Sequence, residues 1–435
     1  MGMFCLQELP QVFGLVEGLP NGIGAGSTEY FVCRPIKELL HPKYLLAFFK
    51  TTKFLKDGAN VMQGAVGQQR VPKQYVLEHE IPLPPLPEQK RIADKLDALL
   101  ARADSCERHL ERVPQILKRF RQSVLAAATS GRLTEEWREE KGVKNSANDL
   151  LQVIANAQNE ASIKVRGGAI EPSLGDLPDE VELSQGWAVA GFDFLASPEP
   201  NALKAGPFGS TLKKNMYVPD GYKIYGQEQV IAGDENFGDY YIDETKYQEL
   251  ITCAVKPGDI LISLVGTIGK VLVLSDNSKP GIINPRLVKL SLYKSINRKY
   301  ISLYLQSPLA RHFFESKSHG GTMDILNLGI LRELPVLIPT IEEQTEIVRR
   351  VEKLFVYAER LEARYLSASE RVGRFTPSLL AKAFRGELVG QDPNDESASI
   401  LLERIREARE AGKTNATGKK PSRKKDRTAK AQSQR

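Results

Sequence analysis

Residues 84–131 (PPLPEQKRIADKLDALLARAD…FRQSVLAAATSG) return in register at residues 339–386 (PTIEEQTEIVRRVEKLFVYAER…FTPSLLAKAFRG), 255 positions further on. Glu343-Gln344 falls on Glu88-Gln89, Leu354 on Leu99, Phe375 on Phe120, Ser378 on Ser123 and Gly386 on Gly131. Within the first copy the apolar residues run Ile92, Leu96, Leu99, Ala103, Cys106, Leu110, Val113, Leu117, Phe120, Val124. The second gives Ile347, Val351, Leu354, Ala358, Leu361, Tyr365, Ala368, Val372, Phe375, Leu379. Unbroken steps of four and three make a seam that a single helix cannot bury, so each copy needs a partner helix, and the other copy is the obvious one. At ~1.5 Å per residue, residues 92–124 make a rod of roughly 48 Å. Pro114 and Pro377 lie inside the pattern and predict a bend or a break in each rod.

The repeat reaches beyond the rods. His41-Pro42-Lys43-Tyr44-Leu45 answers Asn297-Arg298-Lys299-Tyr300-Ile301 at an offset of 256, and Ser146-Ala147 answers Ser397-Ala398 at 251. The unit is a globular domain, a long helix and a short helical coda, written twice. The second globular domain begins near Gly186-Trp187, over a hundred residues ahead of Tyr300, whereas only forty-three residues precede Tyr44. The first domain is therefore expected to be the C-terminal half of its counterpart.

Strand-like runs in the second domain (KIYGQEQVIAG, ILISLVGTIGKVLVLS, INPRLVKLSLY) alternate with glycine turns, followed by the helical KYISLYLQSPLARHFFES. This predicts an α+β domain. Its turns hold amides, hydroxyls and cations: Ser210, Thr211, Lys213, Lys214, Gln227, Gln229, Lys270, Asn284 and Arg286. Asn and Gln pair with adenine edges and Arg or Lys with guanine, while hydroxyls and lysines serve phosphates. Any one of these taken singly is better read as a solvated loop residue; their joint placement in turns is what makes them candidates for DNA contacts.

Charge adds a qualification. Residues 413–435 carry nine Lys or Arg against the one acid Asp426, a local +8, and the chain's net +6 leaves −2 for everything before it. The tail is expected to be disordered and to attract phosphate without sequence preference, or only to solubilise. No apolar run reaches the ~18 residues of a membrane helix, no signal peptide opens the chain, and Cys5, Cys33, Cys106 and Cys253 form no CxxC pair. A cytoplasmic protein without structural metal is expected.

The segment IPLPPLPEQKRIADKLDAL, the closing FRQSVLAAATSGRLTEEW, the Gly-Trp-initiated domain with GDILISLVGTIGK, and the degenerate repeat of the whole make the chain resemble the specificity subunit of type I restriction-modification systems. The resemblance implies two target-recognition domains, each reading one half of a split double-stranded DNA target, joined by two long helices packed as an antiparallel coiled coil. It implies a subunit that catalyses nothing and docks two methyltransferase subunits, with restriction/translocase subunits joining through the complex. S-adenosylmethionine, ATP and Mg then belong to those partners and no cofactor to this chain.

The expected segments are 1–86, the C-terminal half of recognition domain 1; 87–133, the first spacer helix; 134–185, coda and linker; 186–341, recognition domain 2; 342–388, the second spacer helix; 389–411, coda; and 412–435, the disordered tail. Gln68, Gln69 and Arg70 are the surviving contact candidates of the first domain, beside Gln63. Glu88, Gln89, Arg91, Lys95, Arg102, Glu343 and Gln344 are the candidates for partner binding on the helices. The departure from the family pattern, half of a recognition domain, is accounted for by a late start codon, a truncated gene or a complementary fragment, with a start or truncation preferred.

Two other readings stand beside this one: a truncated, inactive or stand-alone DNA-binding remnant, and an adenine-N6 methyltransferase. The second has little to rest on. Residues 22–26 form no dinucleotide loop, since no strand precedes them and no acidic residue follows about 20 positions on, and residues 266–270 lack the spacing and the Ser/Thr of a P-loop. Asn284-Pro285 is followed by Arg286-Leu287 instead of Pro-aromatic.

Overall fold

The computed structural model describes residues 2–5, 13–26, 30–64, 69–142, 146–160, 182–208, 211–264, 270–317 and 326–417. Two compact units emerge. The first takes residues from both ends of the chain, Met1–Arg112 and Arg364–Arg435, and the second is Val113–Ala363.

Unit 1 opens with a three-stranded antiparallel sheet in the order β2-β1-β3: β1 (Gly2–Cys5), β2 (Phe13–Leu15) and β3 (Tyr30–Phe31). Helices α1 (Pro42–Phe49), α2 (Thr52–Asn60), α3 (Lys73–Glu78) and α4 (Leu86–Leu110) follow. An aromatic nest of Phe48, Phe49, Phe54 and Tyr75 fills the space between them, with neighbouring ring centroids 4.9–6.2 Å apart. Tilted and edge-on pairs of this kind add ~0.5–1.5 kcal/mol each beyond their buried area.

Unit 2 begins with α5 (Val113–Thr129), α6 (Glu135–Lys141) and α7 (Ala147–Glu160). The globular part then runs β4 (Ala188–Gly191), β5 (Leu203–Ala205), β6 (Tyr222–Tyr225), α8 (Gln227–Ala232), β7 (Tyr241–Ile242), α9 (Glu244–Glu249), β8 (Ile260–Ser263), β9 (Val271–Val273), β10 (Gly281–Ile283) and β11 (Leu287–Leu290). It closes with α10 (Arg298–Leu305), α11 (Pro308–Lys317), α12 (Leu328–Glu333) and β12 (Pro335–Ile338). The strands form a four-stranded sheet β5-β11-β8-β9, a three-stranded sheet β10-β6-β7 and the pair β12-β4. β8 and β11 are buried at every position, the mark of strands covered on both faces. Helix α13 (Ile341–Phe384) begins in unit 2 and ends in unit 1, where α14 (Ala398–Thr417) is the last described element.

The repeat holds at the level of elements. Helices α3 and α12 are related by 255 residues at both ends, and α4 and α13 start 255 apart. Of the twenty seam positions, only Cys106 and Phe375 are exposed. In unit 1, Ile92 and Leu96 share a core with Leu379, Leu380 and Ala383; in unit 2, Val124 and Ala128 share one with Ile347 and Val351.

The two prolines behave differently. The chain leaves the helix after Leu110 and re-enters at Val113, so that Pro114 occupies the first turn of α5, where its missing N–H has no bond to lose. Pro377 sits inside an uninterrupted α13. Helix α14 runs to Thr417, beyond the expected coda boundary at 411, and residues 418–435 of the basic tail lie outside the described residues.

Candidate nucleic-acid interface

One end of the four-stranded sheet gathers most of the predicted turns. Ala205 lies opposite Val288, Leu287 opposite Ser263, and Val271 opposite Ile262, so the loops after β5 and β8 and before β11 and β9 all leave the sheet at the same end. The turns approach each other closely, at Gly206 through backbone and at Gly226 through side-chain ends. Gly206 donates its N–H to Leu287 O at 2.9 Å, and a Cβ on it would stand 1.9 Å from Asn284 O. A Cβ on Gly226 would stand 2.7 Å from Asn284 Nδ2, while Asn284 donates its N–H to Tyr225 O at 2.8 Å.

At this edge an exposed Arg286 is aimed from behind. Its Nη1 donates to Gln227 Oε1 at 3.3 Å, and Gln227 Nε2 donates to Ser263 Oγ at 2.8 Å. Gln227 is 9% exposed, so it orients the guanidinium and leaves most of its donors outward. Asn284 accepts from Arg286 N at 2.9 Å and shapes the turn. Thr211, Lys213 and Lys214 are exposed, Thr211 donating its hydroxyl to Phe208 O at 2.6 Å. Lys270 is exposed at the start of β9. Ser210 lies outside the described residues, as does Gln68. In unit 1, Gln69 and Arg70 are exposed beside an antiparallel bridge in which Gln63 and Arg70 exchange N–H bonds of 2.9 and 2.8 Å.

Gln229 does not belong to the contact surface. It is fully buried; its Oε1 accepts from Gly226 N at 2.8 Å and its Nε2 donates to Phe237 O at 2.6 Å, so the amide is spent on holding the turn. The residue that sequence reasoning passed over is Phe208, 86% exposed between a buried Pro207 and the Thr211 bond that pins its carbonyl. Its place in GPFGSTLKK beside the polar candidates was the available signal.

Four of the proposed partner-binding residues on the helices are internal. Gln89 and Gln344 are fully buried, and each makes the same two ties. Gln89 Oε1 accepts from His41 N at 2.8 Å and Gln344 Oε1 from Asn297 N at 2.9 Å; their Nε2 atoms donate to Pro84 O and Pro339 O, both at 2.9 Å. Glu88 and Glu343 are buried beside them. Arg91 pairs with Asp395 at 2.6 Å within unit 1. Lys95 and Arg102 remain exposed.

Glu343 anchors a buried polar hub. Its Oε1 accepts from Arg138 Nη1 at 2.5 Å and from Thr134 Oγ1 at 2.6 Å, and its Oε2 accepts from Trp187 Nε1 at 3.0 Å. The carboxylate thus joins α6, the entry to β4 and the first turn of α13. Glu88 has Val389 and Pro393 where Glu343 has Thr134 and Arg138 at the same offset, and it makes no hydrogen bond among the described residues. Burial raises its pKa; the nearby Arg91 opposes that and Asp395 adds to it.

Among the described residues no group of His, Cys, Asp and Glu could hold a metal ion, and no helix is long and apolar enough to cross a membrane.

Unit 2 offers a built edge of amides and cations, an arrangement suited to contacting nucleic acid. The family model for the type I restriction modification DNA specificity domain matches residues 19–115 and 209–366. The chain is 32% identical over 412 residues to the EcoKI specificity subunit of Escherichia coli (strain K12), covering 91% of this chain and 76% of that one. It is 34% identical over 365 residues to the EcoBI specificity subunit of Escherichia coli, covering 79% and 67%. A solved chain from a structure of complex assembly and conformational transition of the type I R-M system superposes with a TM-score of 0.56 at 20% identity, covering 89% of this chain and 82% of that one, which supports the fold. This chain belongs to the type I restriction-modification DNA specificity family. It is the DNA-recognition subunit of such an enzyme, and it is non-catalytic.

Proposed function

We propose that the edge formed by the loops of β5, β8, β9 and β11 reads one half of a bipartite double-stranded DNA target, with Arg286 on a base edge and Thr211, Lys213 and Lys214 on phosphates. The observation that carries this reading is the Arg286–Gln227–Ser263 relay, which fixes an exposed guanidinium at the point where three turns meet. Gln69 and Arg70 are the matching candidates in unit 1. The buried seam supports an antiparallel coiled coil of the two long helices, the spacer between half-sites. Exposed residues such as Lys95 and Arg102 offer a face for two methyltransferase subunits, through which the restriction subunits join in the cytoplasm. S-adenosylmethionine, ATP and Mg are then used by those partners.

A second reading has one specific observation in its favour. Among the described residues unit 1 has no counterpart of the four-stranded sheet, which suits a one-sided reader or a remnant. Mapping N6-methyladenine across the source genome with the gene present and deleted decides between them. Loss of a split motif on deletion supports the bipartite reader. A palindromic or single-sided motif supports a one-sided reader, and an unchanged map supports a remnant; either result overturns the bipartite reading.

A further inference from the structure

Between α5, α11 and the start of β9, unit 2 encloses a cavity of about 310 Å³. Its floor is apolar, with Leu117 and Phe314 buried, and its rim carries Lys118, Arg121, Lys270 and Arg311. Among the described residues that line it there is one acid, Glu362, which accepts from Arg121 Nη2 at 2.8 Å. Lys118, Lys270 and Arg311 are exposed and make no ion pair among the described residues, so the cleft holds three uncompensated positive charges. Like charges gathered at one cleft repel unless an anion joins them, and low-dielectric walls concentrate their field.

We propose that this cleft is a phosphate-binding site for the DNA backbone, distinct from the base-reading edge. The proposal rests on the DNA-reading function above. Lys270 ties the two places together: it closes the loop that leaves the reading edge after β8, and it lines the cleft. A duplex laid on the edge therefore has a strand passing over Lys270 toward Lys118 and Arg311. Mixed lysine and arginine on an apolar floor suit a phosphodiester held by charge and without base information.

The test compares the full chain with its Lys118→Ala/Arg311→Ala variant. Each is first used to select from a random-sequence duplex library; the recovered duplex and a scrambled one are then titrated between 50 and 200 mM salt. The expected result is an unchanged motif, a loss of about 3–10-fold on both duplexes, and a slope of log affinity against log salt shallower by about 1–2, roughly 0.9 per phosphate contact removed. Lys118→Arg/Arg311→Lys, which keeps the charges, restores the slope. Arg286→Ala serves as the contrast, degrading the motif while leaving most of the slope.

Unchanged slope and affinity overturn the proposal, as does a loss confined to the recovered duplex. Loss of a co-purifying methyltransferase subunit with DNA binding intact would assign the cleft to an acidic protein surface instead. Binding of inorganic phosphate or ATP that the variant abolishes, with the DNA slope unchanged, would assign it to a free phosphate compound. If the wild type selects no motif, the base-reading function fails, while the slope measured on any duplex still decides the cleft.

Discussion

Glu88 and Glu343 occupy the same place in the two copies, and the structure gives them opposite environments. Replacing Glu343 by Gln keeps the shape but leaves the Arg138 guanidinium with a neutral acceptor in a site where the carboxylate is 3% exposed. Hydrogen bonds to charged groups are worth ~1.5–3 kcal/mol and the loss of one member of a buried pair costs ~3–5 kcal/mol; because the amide oxygen still accepts one bond, Glu343→Gln should destabilise unit 2 by about 2–4 kcal/mol. Both tryptophans, Trp137 and Trp187, lie in unit 2, so tryptophan fluorescence during urea unfolding follows that unit selectively. At a slope of about 2–4 kcal/mol/M the midpoint should fall by roughly 1 M.

Glu88→Gln, followed by far-UV circular dichroism, should be neutral or stabilising by up to ~1 kcal/mol, because a buried carboxylate without a hydrogen bond is replaced by a neutral amide. The sign follows from the raised pKa. Burial favours the protonated acid in the folded state, so the charged form costs stability as pH rises through the folded value, and the advantage of Gln fades at lower pH. A fall below ~0.5 kcal/mol for Glu343→Gln, or an equal loss from Glu88→Gln, would refute the assignment of the hub to one copy alone.

Gly206→Ala should cost about 1–3 kcal/mol and degrade the selected DNA motif, since its Cβ meets a backbone oxygen at 1.9 Å; a wild-type motif from a folded variant would contradict this. Glu346 is held down at about 2, first by its bond to Arg349 and then by Arg350. Its contribution is present above the unfolded value near 4.5 and lost as pH falls through about 2; with water around the exposed Arg349 it amounts to about 1 kcal/mol, so the gap between wild type and Glu346→Gln should close between pH 5 and 2 in acid titrations. Lys95→Glu/Arg102→Glu should abolish co-purification with a methyltransferase subunit while the circular dichroism spectrum stays unchanged; retained co-purification would move the docking face elsewhere.

The repeat, the helical seam and the break near Pro114 could be read from the chain, because periodicity is local and a proline in a first turn loses no bond; the break expected equally at Pro377 is absent, α13 running through it without interruption. The direction in which a polar side chain points could not. Gln227, Gln229, Gln89 and Gln344 carry the right chemistry for recognition, yet each is buried, and nothing in a sequence distinguishes an amide facing a base from one satisfying a turn. The hub of Glu343 was equally hidden, since Thr134, Arg138 and Trp187 lie 209, 205 and 156 residues away. In the phrase GPFGSTLKK the polar residues drew attention, and the exposed Phe208 did not.

That unit 1 is assembled from both ends of the chain sets the order in which the protein can mature during synthesis. Arg91 meets Asp395 across 304 residues, so the earlier segment must wait for the later one. Unit 2 has all its residues once Ala363 has been added; Phe384, which closes the aromatic nest around Phe48, follows 21 residues later, a further delay of about 1–4 s at ~5–20 residues per second. A ribosome stalled between Ala363 and Phe384 would thus carry a finished recognition unit and an open one, and the open one is where chaperones should be found.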